Sequence, residues 1–590
     1  LIGWNTYPLS YTPIFISRTE ENPLNKENKY SMLVNVTEDI ANNPEAMILN
    51  RGYYGMNLRK EVSYHLSMYI KSKNYTALLQ VMLVDEQGKP VSTQLVLDVK
   101  GKEWTKLTGT LKPDKDVKRG MLAIQPLGKG QFQLDVVSLF PSDTWDNGKS
   151  VFRADIMQNL KEYAPDFIRF PGGCIVEGTD IASRYDWKKS VSMVENRPLN
   201  ENRWNYTFKH KAFPDYFQSL GLGYYEYFLL SEDLGAEPLP VLSCGLSCQY
   251  ESNEVVPLDE LDLYVQDALD LIEFANGPAT STWGKLRAEM GHPEPFHLKM
   301  IGIGNEQWDK VYTERLEVFT KAIRAHYPDI KIVGSSGPNA DGDKFDYLWS
   351  EMKRIGVDLV DEHYYMAPDW FFANAARYDS YDRRGPKVFA GEYASHDHPT
   401  GKANNFLAAL SEAAFMTGLE RNADIVHMAT YAPLFAHVEG WQWRPDMIWF
   451  DNLNSVRTVS YYVQQLYAQN KGTNVLPLTM NKKPVTGAEG QNGLFASAVY
   501  DKDKNELIVK VANTSDKTQP VSLTFEGLKK QDVLSEGRCI TLSSLDQDKD
   551  NTLEQPFAIT PQETPVTING HALTTELGPN TFAVYKFTKK

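Results

Sequence analysis

The sequence predicts a multi-domain protein built on a parallel (β/α)8 barrel with β-rich regions on both sides. Three observations carry this. The chain has 590 residues, too many for one core when domains usually run ~100–200 residues. Its middle alternates short apolar strands with amphipathic helices, the signature of a parallel sheet covered by helices. Its two flanks read as many short strands separated by turn signals, as in antiparallel sandwiches.

Residues 1–143 form the first β region. "EVSYHLSMYI" and "YTALLQVMLVDEQGKPVSTQLVLDV" alternate or run apolar around a turn at "DEQGKP", and "GQFQLDVVSLFP" closes the region. Residues 144–471 supply the barrel. Its strands are "DFIRFPGG", "PLPVLSCG", "KMIGIGNE", "KIVGSSG", "VDEHYY", "KVFAGEY" and "DIVHMATYAPLF". "YTERLEVFTKAIRAHYPD" is a covering helix, with Tyr312, Leu316, Phe319 and Ile323 on one stripe. "NNFLAALSEAAFMTGLERNAD" is another, and "SVRTVSYYVQQLYAQNKG" ends the domain as a helix. Residues 472–590 return to β, with "NELIVKVANTS", "QPVSLTFEG" and "NTFAVYKF".

The spacing of strand ends selects a barrel. Glu306, Ser335, His363 and Glu392 are separated by 29, 28 and 29 residues. Such even βα repeats favour a (β/α)8 barrel over a doubly wound sheet, whose Gly-rich nucleotide loop is also missing.

Composition narrows the function. A net charge of −15 argues against nucleic acid and anionic membranes as partners. No apolar run reaches the ~18–20 residues of a membrane helix, so no membrane insertion is expected. Cys174, Cys244, Cys248 and Cys539 are scattered and imply no disulfide framework. Cys244 and Cys248 form a CxxxC without the second ligand pair that zinc needs, so neither metal nor cofactor is expected.

The stretch "KMIGIGNEQWDK" runs an apolar strand straight into Asn305 and Glu306, and "VFAGEY" does the same with Glu392. A carboxylate leaving an apolar strand is costly without a partner or a task. Barrel active sites lie at the C-terminal ends of the strands, and even spacing puts these glutamates three strands apart over one mouth. A structural glutamate bonded to an arginine or backbone amides is the competing reading for each taken alone. Two at matched positions, with no metal ligands, point to glycoside cleavage. There one carboxyl protonates the leaving oxygen and the other meets the anomeric carbon.

These residues also carry a resemblance. "GNEQW" and "GEYAS" resemble the acid/base and nucleophile strands of retaining glycosidases with glutamates on strands 4 and 7. Together with "FIRFPGGCIVEG", "LGAEPLPVLSCG", "VDEHYY" and "ATYAPLFAHVEGWQWRPDMIWFDN", they resemble glycoside hydrolase family 51, the α-L-arabinofuranosidases. The likeness spans about 145–590, and residues 1–143 resemble the carbohydrate-binding-type jelly-roll inserted in many members.

The resemblance implies Glu306 as acid/base and Glu392 as nucleophile. It puts Asn305 on the sugar 2-hydroxyl, makes Tyr364 the partner orienting the nucleophile, and has Arg169 pin a carboxylate at the mouth. Cys174 and His363 join the substrate-binding set. Where some members carry a Trp after the nucleophile, this chain has "ASHDHP". His396 and His398 there are read as rim or substrate contacts, and Trp441 and Trp443 of "EGWQWRPD" as the replacement platform, Trp441 foremost. Family members also carry a segment ahead of the inserted module that supplies barrel strand 1. Only seven strands are counted here, so the first strand is expected to be missing.

The expected activity is removal of terminal α-L-arabinofuranosyl groups from arabinan, arabinoxylan or arabino-oligosaccharides with retention of configuration, as a non-reducing-end α-L-arabinofuranosidase. Another strand-4/strand-7 glycosidase (a β-xylosidase or endoglucanase) or a non-catalytic carbohydrate-binding protein are the alternatives. The expected partner is an arabinose-containing polymer or oligosaccharide. A homo-oligomer is compatible with the sequence, and polymer-degrading enzymes with sugar-binding modules usually act outside the cytoplasm.

Overall fold

The structure is a computed structural model that describes residues 1–590 except 2, 100, 206–216, 398–401 and 442. Seven parallel strands curl side by side in chain order. They are β1 (Phe167–Phe170), β2 (Glu237–Leu242), β3 (Met300–Ile303), β4 (Lys331–Ser335), β5 (Leu359–Met366), β6 (Lys387–Asp397) and β7 (Val426–Tyr431). All seven fall on the segments read as strands from the sequence.

The sheet curls because its inner face closes on itself. Phe167, Leu239, Met300, Val333, Leu359, Phe389 and Met428, one from each strand, pack together as a plug at the N-terminal end. Outer residues such as Val388, Ala390 and Tyr364 join the apolar layer beneath the covering helices instead. The helix Asp309–His326 buries the predicted stripe of Tyr312, Leu316, Phe319 and Ile323 completely.

Among the described residues, β1 pairs only with β2 and β7 only with β6. The barrel is therefore open along one seam, where the missing strand was expected. A cavity of about 730 Å3 fills it, from Tyr163, Asp166 and Lys471 at the base to Cys174, Glu306 and Glu392 at the mouth.

The flanks follow the sequence reading. Two antiparallel sheets of six and five strands, between Trp4 and Pro141, enclose a core that includes Val34, Leu66, Met68, Val81, Ile124 and Phe132. This jelly-roll-like module touches the barrel through polar contacts. Asn452 Nδ2 donates to the Tyr53 carbonyl at 2.8 Å, and Arg119 pairs with Glu439 at 2.7 Å. C-terminal antiparallel strands between Asn474 and Lys589 form the sandwich-like end. It is tied to the barrel through helix Phe406–Arg421, where the buried Lys510 ammonium meets Glu420 at 2.5 Å.

Candidate active site

Strand alternation decides which side chains enter the mouth. Along β5, Leu359 points into the plug, so Asp361, His363 and Tyr365 share its inward parity. Glu362 and Tyr364 face the helices. There Glu362 accepts from Trp349, Tyr378 and Tyr381, and the Tyr364 hydroxyl sits 3.1 Å from that of Tyr378.

On β6 the same rule would send Glu392 outward, because Phe389, three residues earlier, points in. A β-bulge corrects this. The register with β5 runs Glu362–Ala390 and then His363–Glu392, leaving Gly391 as the extra residue. The bulge turns Glu392 to the inner face beside His363. Only glycine fits there, since a Cβ at Gly391 would lie 1.8 Å from Asp361 Oδ1. Gly173 is constrained in the same way. A Cβ on it would reach 2.8 Å from Glu392 Oε1, so the "PGG" turn brings bare backbone against the carboxylate.

The two carboxylates converge. Glu306 follows β3 in the left-handed backbone region at φ 48°, and one oxygen each of Glu306 and Glu392 and one His363 nitrogen lie within 4.8 Å of one another. Glu392 accepts from Arg169 at 2.9 Å on Oε1 and from the Tyr365 hydroxyl at 2.8 Å on Oε2. His363 Nδ1 lies 2.8 Å from Glu306 Oε1 and 3.6 Å from Glu392 Oε2, and its Nε2 lies 3.2 Å from Asp361 Oδ2. Burial disfavours the charged imidazole, but Glu392 and Asp361 outweigh it and hold the His363 pKa well above its ordinary value. The trio is compact enough to hold a cation, yet Arg169 and protonated His363 already supply the positive charge.

Asn305 is fixed from both ends. Its Oδ1 accepts from Arg169 at 2.7 Å, and its Nδ2 donates to Glu177 Oε1 at 2.6 Å. Burial, and next the nearby Cys248 sulfur, raise the Glu177 carboxyl well above the usual range. Cys174 Sγ lies 3.8 Å from Glu306 Oε2.

Of the residues singled out in the sequence, Glu306, Glu392, Asn305, Arg169, His363 and Cys174 meet here. Two assignments change. The tyrosine bonded to Glu392 is Tyr365, not Tyr364, whose parity takes it to the helix side. Of the two tryptophans in "EGWQWRPD", Trp443 lines the cavity, beside Trp204 and 5.6 Å from the Tyr365 ring, while Trp441 packs against Trp449 and Arg444. His396 is buried with its ring 6.2 Å from Trp443, and His398 lies outside the described residues. The sequence reading missed Asp361 and Glu177. Asp361 was recoverable from the parity of "VDEHYY", but Glu177 gives no signal beyond standing in "CIVEG".

The chain is similar to known proteins in sequence and fold. Residues 159–383 match the family described as the α-L-arabinofuranosidase 1 domain, and 391–580 match the α-L-arabinofuranosidase C-terminal domain. An extracellular exo-α-L-arabinofuranosidase of Streptomyces chartreusis is 42% identical over 472 residues, covering 77% of this chain and 55% of that protein. The chain thus spans about half the length of that relative. α-L-Arabinofuranosidase 1 of Arabidopsis thaliana is 32% identical over 99% of this chain and 83% of its own length. The solved structure of an arabinose-bound MgGH51 α-L-arabinofuranosidase superposes with a TM-score of 0.87 at 26% identity, covering 100% of this chain and 91% of that one. The chain belongs to the α-L-arabinofuranosidases of glycoside hydrolase family 51.

Proposed function

We propose that the protein is an exo-acting, retaining α-L-arabinofuranosidase that removes terminal arabinofuranosyl groups from arabinan, arabinoxylan or their oligosaccharides. The observation that carries the retaining mechanism is the pair of carboxylates with oxygens within 4.8 Å, and the arabinofuranosyl substrate is supported by the family to which the chain belongs. Retaining enzymes hold their two carboxyl groups ~5–5.5 Å apart, so that one attacks carbon directly, whereas inverting enzymes need ~6.5–9.5 Å for an intervening water.

The roles follow from the surroundings. Arg169 and Tyr365 fix both oxygens of Glu392, which attacks the anomeric carbon. Glu306 gives its proton to the departing oxygen, then takes one from the water that cleaves the glycosyl–enzyme bond. His363 bridges the carboxylates and spreads positive charge between them as the leaving group departs. Arg169 and Glu177 hold Asn305 in one plane, ready for a sugar hydroxyl. Trp443 supplies a flat apolar wall. The exo-acting, extracellular Streptomyces relative supports both the exo mode and action outside the cytoplasm.

Hydrolysis of an aryl α-L-arabinofuranoside beside the aryl β-D-xyloside tests the reading. Turnover of the arabinofuranoside in clear excess is expected. Preference for the xyloside, or hydrolysis of neither, would overturn it.

A further inference from the structure

Beneath the two catalytic carboxyls lies a third. Asp361 is buried on the inner face of β5, in register with Phe389 of β6, and so stands between the plug and the mouth. Its Oδ2 lies 3.4 Å from a terminal nitrogen of Arg169 and 3.2 Å from His363 Nε2. Each of these groups reaches a catalytic carboxyl with its other end. Arg169 donates to Glu392 Oε1 at 2.9 Å, and His363 Nδ1 lies 2.8 Å from Glu306 Oε1. Asp361 Oδ1 has no hydrogen-bond partner among the described residues. It lies against the β6 bulge, where only glycine leaves it room, since a Cβ on Gly391 would come within 1.8 Å.

We propose that Asp361 is a positioning residue for both halves of the reaction: it holds the Arg169 guanidinium and the protonated His363 imidazole in one frame, the first against Glu392 and the second against Glu306. Its catalytic meaning rests on the glycosidase reading above.

A counter-ion that serves stability alone is the competing reading, and the surroundings argue against it. Arg169 is already met by Glu392 and by Asn305 Oδ1 at 2.7 Å. Burying a further carboxylate is costly, and an apolar side chain at this point would extend the plug that Leu359 enters on the same strand. What the aspartate adds is a second positive charge at the mouth. Burial opposes the charged imidazole, but Glu392 and then Asp361 outweigh it. Arg169 and His363 then balance Asp361 and Glu392, and Glu306 carries the proton that a general acid needs.

No other group nearby replaces that negative charge. Tyr365 donates to Glu392, and Cys174 Sγ lies 3.8 Å from Glu306 Oε2. Glu177 reaches the frame only through Asn305, at 2.6 Å, and burial raises its carboxyl well above the usual range. Tyr312, behind β3 and β4, is held by the Ser335 amide and the Ile303 carbonyl.

The test compares Asp361→Asn, which keeps the volume and removes the charge, with the wild type on an alkyl α-L-arabinofuranoside. kcat/KM near neutral pH should fall about 100-fold. Its alkaline limb should move down by about one pH unit or more, because without the negative charge the Glu306–His363 pair loses its proton more readily. The same substitution made in His363→Gln should cost less than about tenfold, since a group through which it acts is gone. Melting curves of all variants separate folding from catalysis. Lowered stability with kcat/KM within about threefold and an unmoved limb would make Asp361 a counter-ion only. Equal losses in both backgrounds would mean that it does not act through His363. Either result overturns the proposal. Histidine-selective nitrogen NMR of the wild type, with His363 assigned by its absence from His363→Gln, needs neither substrate nor an Asp361 variant. The ring should stay doubly protonated to about pH 8. A neutral ring near neutral pH overturns the frame, whether or not Asp361→Asn folds. A wild type that hydrolyses no arabinofuranoside overturns the glycosidase reading and the catalytic half of the proposal with it, while the spectra still decide the frame.

Discussion

Tyr365 donates its hydroxyl to Glu392 Oε2 at 2.8 Å, while its neighbour Tyr364 turns away to meet Tyr378. The two tyrosines are adjacent in sequence and on opposite faces of β5. A hydrogen bond to a charged group contributes ~1.5–3 kcal/mol. Tyr365→Phe should therefore lower kcat about 10- to 100-fold. Tyr364→Phe should leave kcat within about threefold. Steady-state kinetics on both variants checks this, and a larger loss for Tyr364→Phe would reverse the assignment.

Glu306 is expected to matter in proportion to how badly the leaving group needs a proton. Glu306→Ala should cut kcat/KM for alkyl arabinofuranosides by about 100-fold or more, yet spare kcat/KM for a dinitrophenyl arabinofuranoside to within about tenfold, since its departure needs little protonation. Equal losses on both substrates would give Glu306 a binding or structural role instead.

Much of this site was legible in the sequence because parallel barrels place function at strand ends, and 28- to 29-residue spacing marks where those ends fall. "GNE" and "GEY" locate two carboxylates at the mouth without further information. Tyr364 went wrong for a physical reason. Facing is decided by parity, and it is Tyr365, not Tyr364, that shares the parity of the plug residue Leu359, of Asp361 and of His363. The bulge at Gly391 is hidden, since in a regular strand Glu392 would face the helices. Trp441 and Trp443 share a parity, so only the path of the loop shows which one reaches the cavity. The open seam was readable, because a count of seven strands needs only apolar runs.

That seam should be the weak part of the barrel. The outer edges of β1 and β7 carry backbone groups with no strand beside them among the described residues, whereas β3 to β5 are flanked on both sides. Amide hydrogen exchange should be faster in 167–170 and 426–431 than in 300–303, 331–335 and 359–366. Equal protection across all five segments would mean that another stretch of polypeptide fills the seam.

Glu412 gives a stability test with a definite sign. It is fully buried on the helix behind β6 and accepts from the Ser395 amide at 3.0 Å. Burial lifts its pKa to about 8, against ~4.3 in the unfolded chain. Between those values the folded state holds the extra proton, so stability is greatest at low pH and falls as pH rises, the loss being complete above about 8. Glu412→Gln keeps an acceptor for Ser395 and carries no proton to lose. Its unfolding free energy should exceed the parent's by a margin that grows from pH 5 to 8, on the order of a few kcal/mol at the upper end. A constant margin across that range would mean the carboxyl is already ionised in the folded protein.

The central claim is that Glu392 forms the covalent bond to the sugar, and azide rescue tests it most directly. Glu392→Ala should hydrolyse an activated aryl α-L-arabinofuranoside at a small residual rate. Added azide should enter the space left by the carboxylate, restore turnover and yield the β-configured arabinofuranosyl azide, a single inversion visible by proton NMR. Wild-type activity in the variant without azide, or recovery with an α-configured product, would show that the nucleophile lies elsewhere.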